Sequence, residues 1–419
     1  MTALLIAGCS GGSSSAAGDG KVAAAAATHA PVAPKVTVTP ANGTSGVSVT
    51  SAIVVRSQAP LVSVAVARGA SAVEGTRAGT VAGTFSPDRM TWASSSGLFA
   101  GSTYRVVARS STAAGFAGAT TATTSFTTAV PATPFKVSWD PVDGQTVGIG
   151  EPVTLTFTAP VADRAAVQRR LSLTSTPAVT GSWSWQSNSV VRYRPKSYWP
   201  SGTKVHVTAD LAGYDNGGGY LGVKDREMTF SIGASQVSYV DAASHTMKIY
   251  RNGALVKQFP VSLGREQYPT MDGPHNVIAV APKVIMNSAT VGIPKGNPDY
   301  YYETVLWDVQ ITSGGEYVHA APWSVGSQGR TNVSHGCVNA SDANAQWFYE
   351  HSRIGDIVSV SNTGRPADTS QLGNEWSIPW SVWVAGSALP ANAAPASSST
   401  GTGSSTGGSS AAGSTSLGG

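Results

Sequence analysis

The chain has 419 residues, of which 41% are hydrophobic and only 12% charged; that is enough apolar matter for about three domains of ordinary size and excludes a fully disordered polymer. Its net charge of +4 is carried by scattered Lys and Arg without a basic run or basic-aromatic stripe, a balance compatible with an anionic wall or membrane surface and not with nucleic-acid binding. Cysteine occurs twice.

The first of the two, Cys9, ends the stretch Leu4-Leu5-Ile6-Ala7-Gly8-Cys9, which resembles the lipobox at which bacterial lipoproteins are cleaved and acylated on cysteine. The apolar run before it is shorter than the usual h-region of about 7 to 15 residues and no Lys or Arg precedes it, so the alternative is a chance Ala-Gly-Cys in a loose end. No other stretch approaches the ~20 apolar residues of a membrane span. With lipid on Cys9, the other cysteine, Cys337, has no disulfide partner, and an exported chain that keeps one free thiol implies that the thiol is used.

Residues from Ser10 to about Pro34 are rich in Ser, Gly, Ala and Pro without a hydrophobic period, the composition of a flexible spacer. From Lys35 to about Val130, short alternating runs such as Val36-Thr37-Val38-Thr39 and Tyr104-Arg105-Val106-Val107 alternate with Gly/Ser/Pro turns, the pattern of a β-sandwich. The plan repeats a hundred or so residues on. Val36 to Gly43 matches Val137 to Gly144, Thr103 to Val107 matches Thr203 to Val207, and Thr124-Ser125-Phe126-Thr127 resembles Met228-Thr229-Phe230-Ser231. Two tandem immunoglobulin-like domains account for this, with a helical turn over Asp163 to Arg170 in the second copy.

A third domain begins near Gln236, where Val237 to Val240 and Met247 to Tyr250 flank a turn and Arg251-Asn252-Gly253 marks a second hairpin into Leu255 to Phe259. Ser341 caps an expected helix over Asp342 to His351 whose Ala343, Trp347 and Phe348 form a core stripe, and Ile354 to Val360 returns as a strand. Beyond Asn362, Trp376, Trp380 and Trp383 crowd a segment that must dock on a neighbour. From Ser387 to Gly419 the composition is that of a disordered Ser/Gly/Ala tail.

Cys337 lies in Ser334-His335-Gly336-Cys337-Val338-Asn339, eighteen residues after His319. A cysteine attacks a carbonyl as thiolate, whose free pKa near 8.5 a neighbouring cation or aligned N–H groups must lower. His319, at the end of the alternating run from Glu316, is the candidate base. Gly336 lets the backbone approach a reacting carbonyl, and the N–H groups of Gly336 and Cys337 are candidate oxyanion donors. A zinc site from His319, His335 and Cys337 lacks a completing ligand pair, so neither metal nor cofactor is expected.

His319, the fourteen residues that follow it, and Ser334-His335-Gly336-Cys337-Val338-Asn339 resemble the signature of the L,D-transpeptidases of the YkuD type, bacterial enzymes that cross-link peptidoglycan. The resemblance extends to the paired immunoglobulin-like domains and the Trp-rich end of mycobacterial members, from about Lys35 to Ala385. It implies a mainly β protein divided into a lipobox and tether (1–34), two immunoglobulin-like sandwiches (35–130 and 131–234), a YkuD-like β-sandwich catalytic domain with a short helix (235–362), a Trp-rich subdomain (363–386) and a tail (387–419). It implies Cys337 as nucleophile, His319 as base, and a main-chain carbonyl orienting the imidazole from the next residue, where the family has serine and this chain has Ala320. Tyr301, Met286 and Trp323 fall where the family lines its donor pocket and lid, with Ser334, His335 and Asn339 flanking the nucleophile; Met286 and Trp323 also read as core.

The implied reaction forms a 3→3 cross-link between a donor tetrapeptide stem and the side-chain amine of an acceptor, releasing D-Ala. Carbapenems, as imitations of the donor, are implied inhibitors, and a lipid-anchored place in the cell envelope is the implied location. The rivals are an L,D-carboxypeptidase, in which water resolves the same acyl-enzyme, and a wall-binding lipoprotein with a silent third domain.

Overall fold

A computed structural model describes residues 31–71 and 78–390. Cys9, most of the expected tether and the tail beyond residue 390 lie outside the described residues.

Alternation builds the first two domains. In Ser102–Ser110 every second side chain is buried, so Tyr104, Val106 and Ala108 face inward while Thr103 and Arg105 face water. In the first sandwich one sheet orders Val36–Thr39, Val54–Ser57, Thr91–Ser94 and Gly83–Phe85, and the other Gly79–Thr80, Leu61–Ser71, Ser102–Ser110 and Thr121–Thr127. Between them lie Ile53, Val55, Leu61, Trp92 and Phe126, with Tyr104 stacked on Phe126 at 5.2 Å.

The second sandwich repeats the layout. Val137–Asp140 takes the edge position of Val36–Thr39, and Lys204–Ala209 lies between Leu171–Thr176 and Arg226–Ile232 as Ser102–Ser110 lies between its neighbours. The sequence repeats therefore mark equivalent strands. The expected helical turn is a helix over Arg164–Gln168, capped by Asp163, whose carboxylate accepts from Ala166 N–H at 2.9 Å.

The sandwiches touch through Val49, Ala100 and Val223, and Ala100 N–H donates to Val223 O at 3.0 Å. A Cβ on Gly97 would lie 2.2 Å from Ala212 O, so this approach requires glycine.

The third domain packs a six-stranded sheet (Ala254–Pro260, Thr246–Arg251, Gln236–Asp241, Ile357–Ser361, Met271–Asn276, Arg365–Pro366) against a four-stranded one (Ala279–Asn287, Tyr302–Gln310, Tyr317–Ala320, Val338–Ala340). Val240, Ile249, Val309, Val318, Val338 and Val358 fill the space between. The helix Asp342–His351 begins at Ser341, whose hydroxyl accepts from Asn344 N–H at 3.4 Å. Its buried residues are Ala345 and Phe348; Ala343 is exposed, because the buried stripe is centred one position away from the expected one. The strand expected from Ile354 starts at Ile357, since residues 354 and 355 make the joint to the second sandwich: Gly148 N–H donates to Ile354 O and Gly150 N–H to Gly355 O, both at 2.7 Å.

The tryptophan segment docks on the second sandwich. The Arg194 guanidinium lies 4.7, 5.4 and 4.8 Å from the rings of Trp376, Trp380 and Trp383, and Trp376 and Trp383 donate to Gly150 O and Ser182 O at 2.7 and 2.9 Å. Docking continues past the expected end of order. Ser387 accepts from the Gln168 amide at 2.7 Å, and Ala388 N–H donates to the same side chain at 2.9 Å.

Candidate active site

Two adjacent parallel strands bring the candidate residues together. Tyr317–Ala320 pairs with Val338–Ala340 so that His319 lies opposite Asn339. Cys337, one residue before the second strand, is two positions from Asn339 and therefore points to the same face as His319. Cys337 is 7% exposed and His319 3%.

The imidazole is oriented by main chain. His319 Nδ1 lies 2.8 Å from Ala320 O, so the ring donates there and Nε2 carries the lone pair. The Ala320 methyl belongs to the core between the sheets, on the side away from the imidazole. A hydroxyl at this position would start from the wrong face, and serine's absence leaves the orienting contact intact.

Burial decides the charge state. The Cys337 thiol is pushed up to about 12 by desolvation, with the Glu316 and Asp308 carboxyl groups adding to the rise and the Tyr317 N–H opposing it. His319 is pulled down to about 4 by desolvation, against the bond to Ala320 O. The expected lowering of the thiol's pKa, by a cation or by aligned N–H groups, is thus outweighed by burial, which favours a neutral thiol and a neutral imidazole. The thiol donates to Gly315 O at 3.6 Å in this resting arrangement. Chemically, a neutral thiol and a neutral imidazole suit general-base removal of the proton during attack, with no need for a preformed ion pair.

The loop before Cys337 is built by Ser334. Its hydroxyl donates to Cys337 O at 2.6 Å and accepts from Gly336 N–H at 3.1 Å. Gly336 N–H, expected as an oxyanion donor, is therefore committed within the loop. Gly336 itself has φ 125, a conformation that favours glycine, above the Glu316 carboxylate. Glu316 is anchored by Arg365 at 3.0 Å and by Met271 N–H at 3.2 Å.

Met286, Val305, Val284, Tyr301 and Tyr317 pack around the sulfur, so Met286 and Tyr301 do reach the pocket of Cys337. Trp323 is 58% exposed with its ring 6.3 Å from that of His319, a lip and not a core residue. His335 sits between Tyr268 and Tyr301, at 5.1 and 5.0 Å, and faces Asp299 at 4.0 Å. Asn339 shares the face of His319 and Cys337, but its polar groups are engaged away from the sulfur. Its amide donates to Ser324 at 3.2 Å while its main chain exchanges bonds with Ser262 at 3.0 and 2.8 Å, so it supports the turn below Trp323.

Sequence reading missed several polar neighbours. Asp299 binds Arg265 at 2.5 Å and the Tyr268 hydroxyl at 3.0 Å, tying the segment before Tyr301 to the loop beside His335. Glu316 and Asp308 were also missed as neighbours of the sulfur, although Asp308 interrupts an apolar run near the end of its strand.

Similarity to known proteins agrees with this geometry. Residues 235–360 match the L,D-transpeptidase catalytic domain, and residues 44–215 match the bacterial Ig domain, a stretch that enters both sandwiches. L,D-transpeptidase 2 of Mycobacterium tuberculosis (strain CDC 1551 / Oshkosh) is 40% identical over 310 residues, covering 74% of this chain and 75% of the relative. L,D-transpeptidase 5 of Mycobacterium tuberculosis (strain ATCC 25618 / H37Rv) is 33% identical over 390 residues, covering 89% and 81%. A solved structure of the LD transpeptidase LdtMt1 in complex with imipenem is 36% identical, with a TM-score of 0.49, covering 55% of this chain and 100% of that one. An immunoglobulin-like region, a YkuD fold and relatives matched over most of both chains make this protein a member of the L,D-transpeptidase family, a transpeptidase enzyme.

Proposed function

We propose that the chain forms 3→3 cross-links in peptidoglycan through an acyl-enzyme on Cys337. The observation that carries this reading is the pair of neighbouring strands that turn Cys337 and His319 to one face, with His319 Nδ1 committed to Ala320 O and Nε2 left as base. As the sulfur bonds to the carbonyl carbon of the donor's diamino acid residue, the thiol proton passes to His319 Nε2 and the carbonyl π pair moves to oxygen. Collapse breaks the C–N bond to D-Ala, whose amine takes that proton, and a thioester remains. The acceptor amine then attacks the thioester, loses its proton to His319 and displaces the sulfur, which recovers the proton. Met286, Tyr301 and His335 wall the donor side, Trp323 forms the open lip, and Ser334 holds the loop in shape.

On this reading the enzyme acts in the cell envelope, held to the membrane through lipid on Cys9. Carbapenems imitate the donor's acyl group and acylate the same sulfur. Mass spectrometry after imipenem treatment should find one adduct on the wild type and none on Cys337→Ala; an adduct on both removes Cys337 as nucleophile. Purified sacculi incubated with the enzyme should yield cross-linked dimers, whereas shortened stems alone would make it an L,D-carboxypeptidase.

A further inference from the structure

Asp308 is a buried acid that the acyl-transfer steps leave unused. It lies on the strand Tyr302–Gln310, which borders the strand of His319. It is 1% exposed, and among the described residues neither carboxyl oxygen completes a well-formed hydrogen bond, the Val284 N–H on the neighbouring strand being the donor that bears on it. An isolated carboxyl group in such a place is costly to keep without a use.

Its direction follows from a break in the strand. Trp307 has φ 59, a left-handed conformation rare for a bulky residue, and the alternation slips there. Val305 faces Cys337 and Met286, whereas Val309 and Ile311 face the core between the sheets. Val309 pairs with Val318 and Gln310 with Tyr317; continued by one residue, that register sets Asp308 opposite His319. Val309 and Val318 both point into the core, so Asp308 and His319 share the other face. The carboxyl charge is felt at Cys337 and Tyr317, in agreement with that placement.

The other ionisable groups around it are few. Tyr317 and His319 face it from the neighbouring strand and Cys337 from the strand beyond. Lys283, on the strand along its other edge, is exposed, and Asp342 of the packed helix accepts from Trp307 Nε1 at 3.3 Å. Glu316 acts on Cys337 but is held by Arg365.

We propose that Asp308 is a positioning residue for acyl transfer, a carboxylate that faces His319 and supplies the counter-charge to the imidazolium formed when the thiol proton moves to Nε2. It exchanges no proton with substrate. Its charge also opposes the thiolate, but Cys337 is a strand further away and the sulfur's charge passes to the carbonyl oxygen within the step, while the imidazolium persists until the leaving group is protonated. Desolvation, opposed by the Val284 N–H, raises the carboxyl to about 7, so its ionisation falls in the working range of pH.

This inference rests on Cys337 and His319 acting as nucleophile and base. Its test is the rate of imipenem acylation as a function of pH, by stopped flow on the full chain, with mass spectrometry locating the adduct and thermal unfolding run alongside. Wild type should gain rate through an apparent pKa near 7. Asp308→Asn should lose that limb, falling about tenfold behind wild type at high pH and converging with it at low pH, where the wild-type carboxyl is protonated; a factor of ten is about 1.4 kcal/mol in the barrier. Asp308→Glu should recover part of the limb. An Asp308→Asn profile parallel to wild type at every pH overturns the proposal. If Asp308→Asn does not fold, a wild-type profile without the limb does the same. A wild type that forms no adduct on Cys337 overturns both this inference and the reading beneath it, an outcome distinct from a normal adduct with an unchanged profile.

Discussion

The joint between the second sandwich and the catalytic domain and the pocket around Cys337 both bury ionisable groups, and Arg192, Arg194 and Glu375 at the first are held differently from Asp308 and Cys337 in the second. At the joint Arg192 meets Glu375 at 2.8 Å, Glu375 also accepts from Gly373 N–H at 3.0 Å, and Arg194 donates to Ile378 O at 2.7 Å among three tryptophans. In the pocket, among the described residues, the Asp308 carboxyl completes no well-formed hydrogen bond and the Cys337 thiol donates one long bond to a carbonyl. Partnered burial ties domains together. Burial shifts protonation equilibria in both places, but only where partners are lacking is a group left free to change charge during a reaction.

The comparison breaks most easily at His319. His319→Gln should slow imipenem acylation by about 10²- to 10⁴-fold, while urea unfolding detects a loss of about 1 kcal/mol for the bond to Ala320 O. An equally large loss of stability would mean that the pocket is also structural. Glu375→Gln should act in reverse. Removing one partner of a buried ion pair costs about 3 kcal/mol, seen as a lower urea midpoint, while the folded enzyme acylates at the wild-type rate; slowed acylation would couple the joint to the site.

The smallest effect is expected at Ala320. Ala320→Ser places a hydroxyl in the core between the sheets, at a cost of about 1 kcal/mol, and should leave the acylation rate unchanged because the imidazole is held by the carbonyl. A faster variant would show that the side-chain oxygen reaches the ring.

The strands of both sandwiches were legible because a period of two and polar turns are local signals, and the repeats fell on equivalent strands. Ser341 was legible as a cap for the same reason. The helix stripe was displaced from Ala343 to Ala345 because in a short helix several faces carry apolar residues and the packed sheet selects among them. The site was readable in its motif and not in its bonding. No pattern around Gly336 announces that its N–H is committed to Ser334, and none around Asn339 that its amide turns to Ser324.

The chain by itself determined what depends on near neighbours: alternating strands, the helix cap, the spacing of His319 from Cys337, and a tryptophan segment that had to be covered. Tertiary structure alone decided which surface covered those tryptophans, that burial favours the neutral forms of Cys337 and His319, and that Asp308 shares a face with His319. The physical reason is that face and register between strands depend on distant partners and on a single backbone break at Trp307, while burial, which sets each group's charge, is a property of everything packed around it.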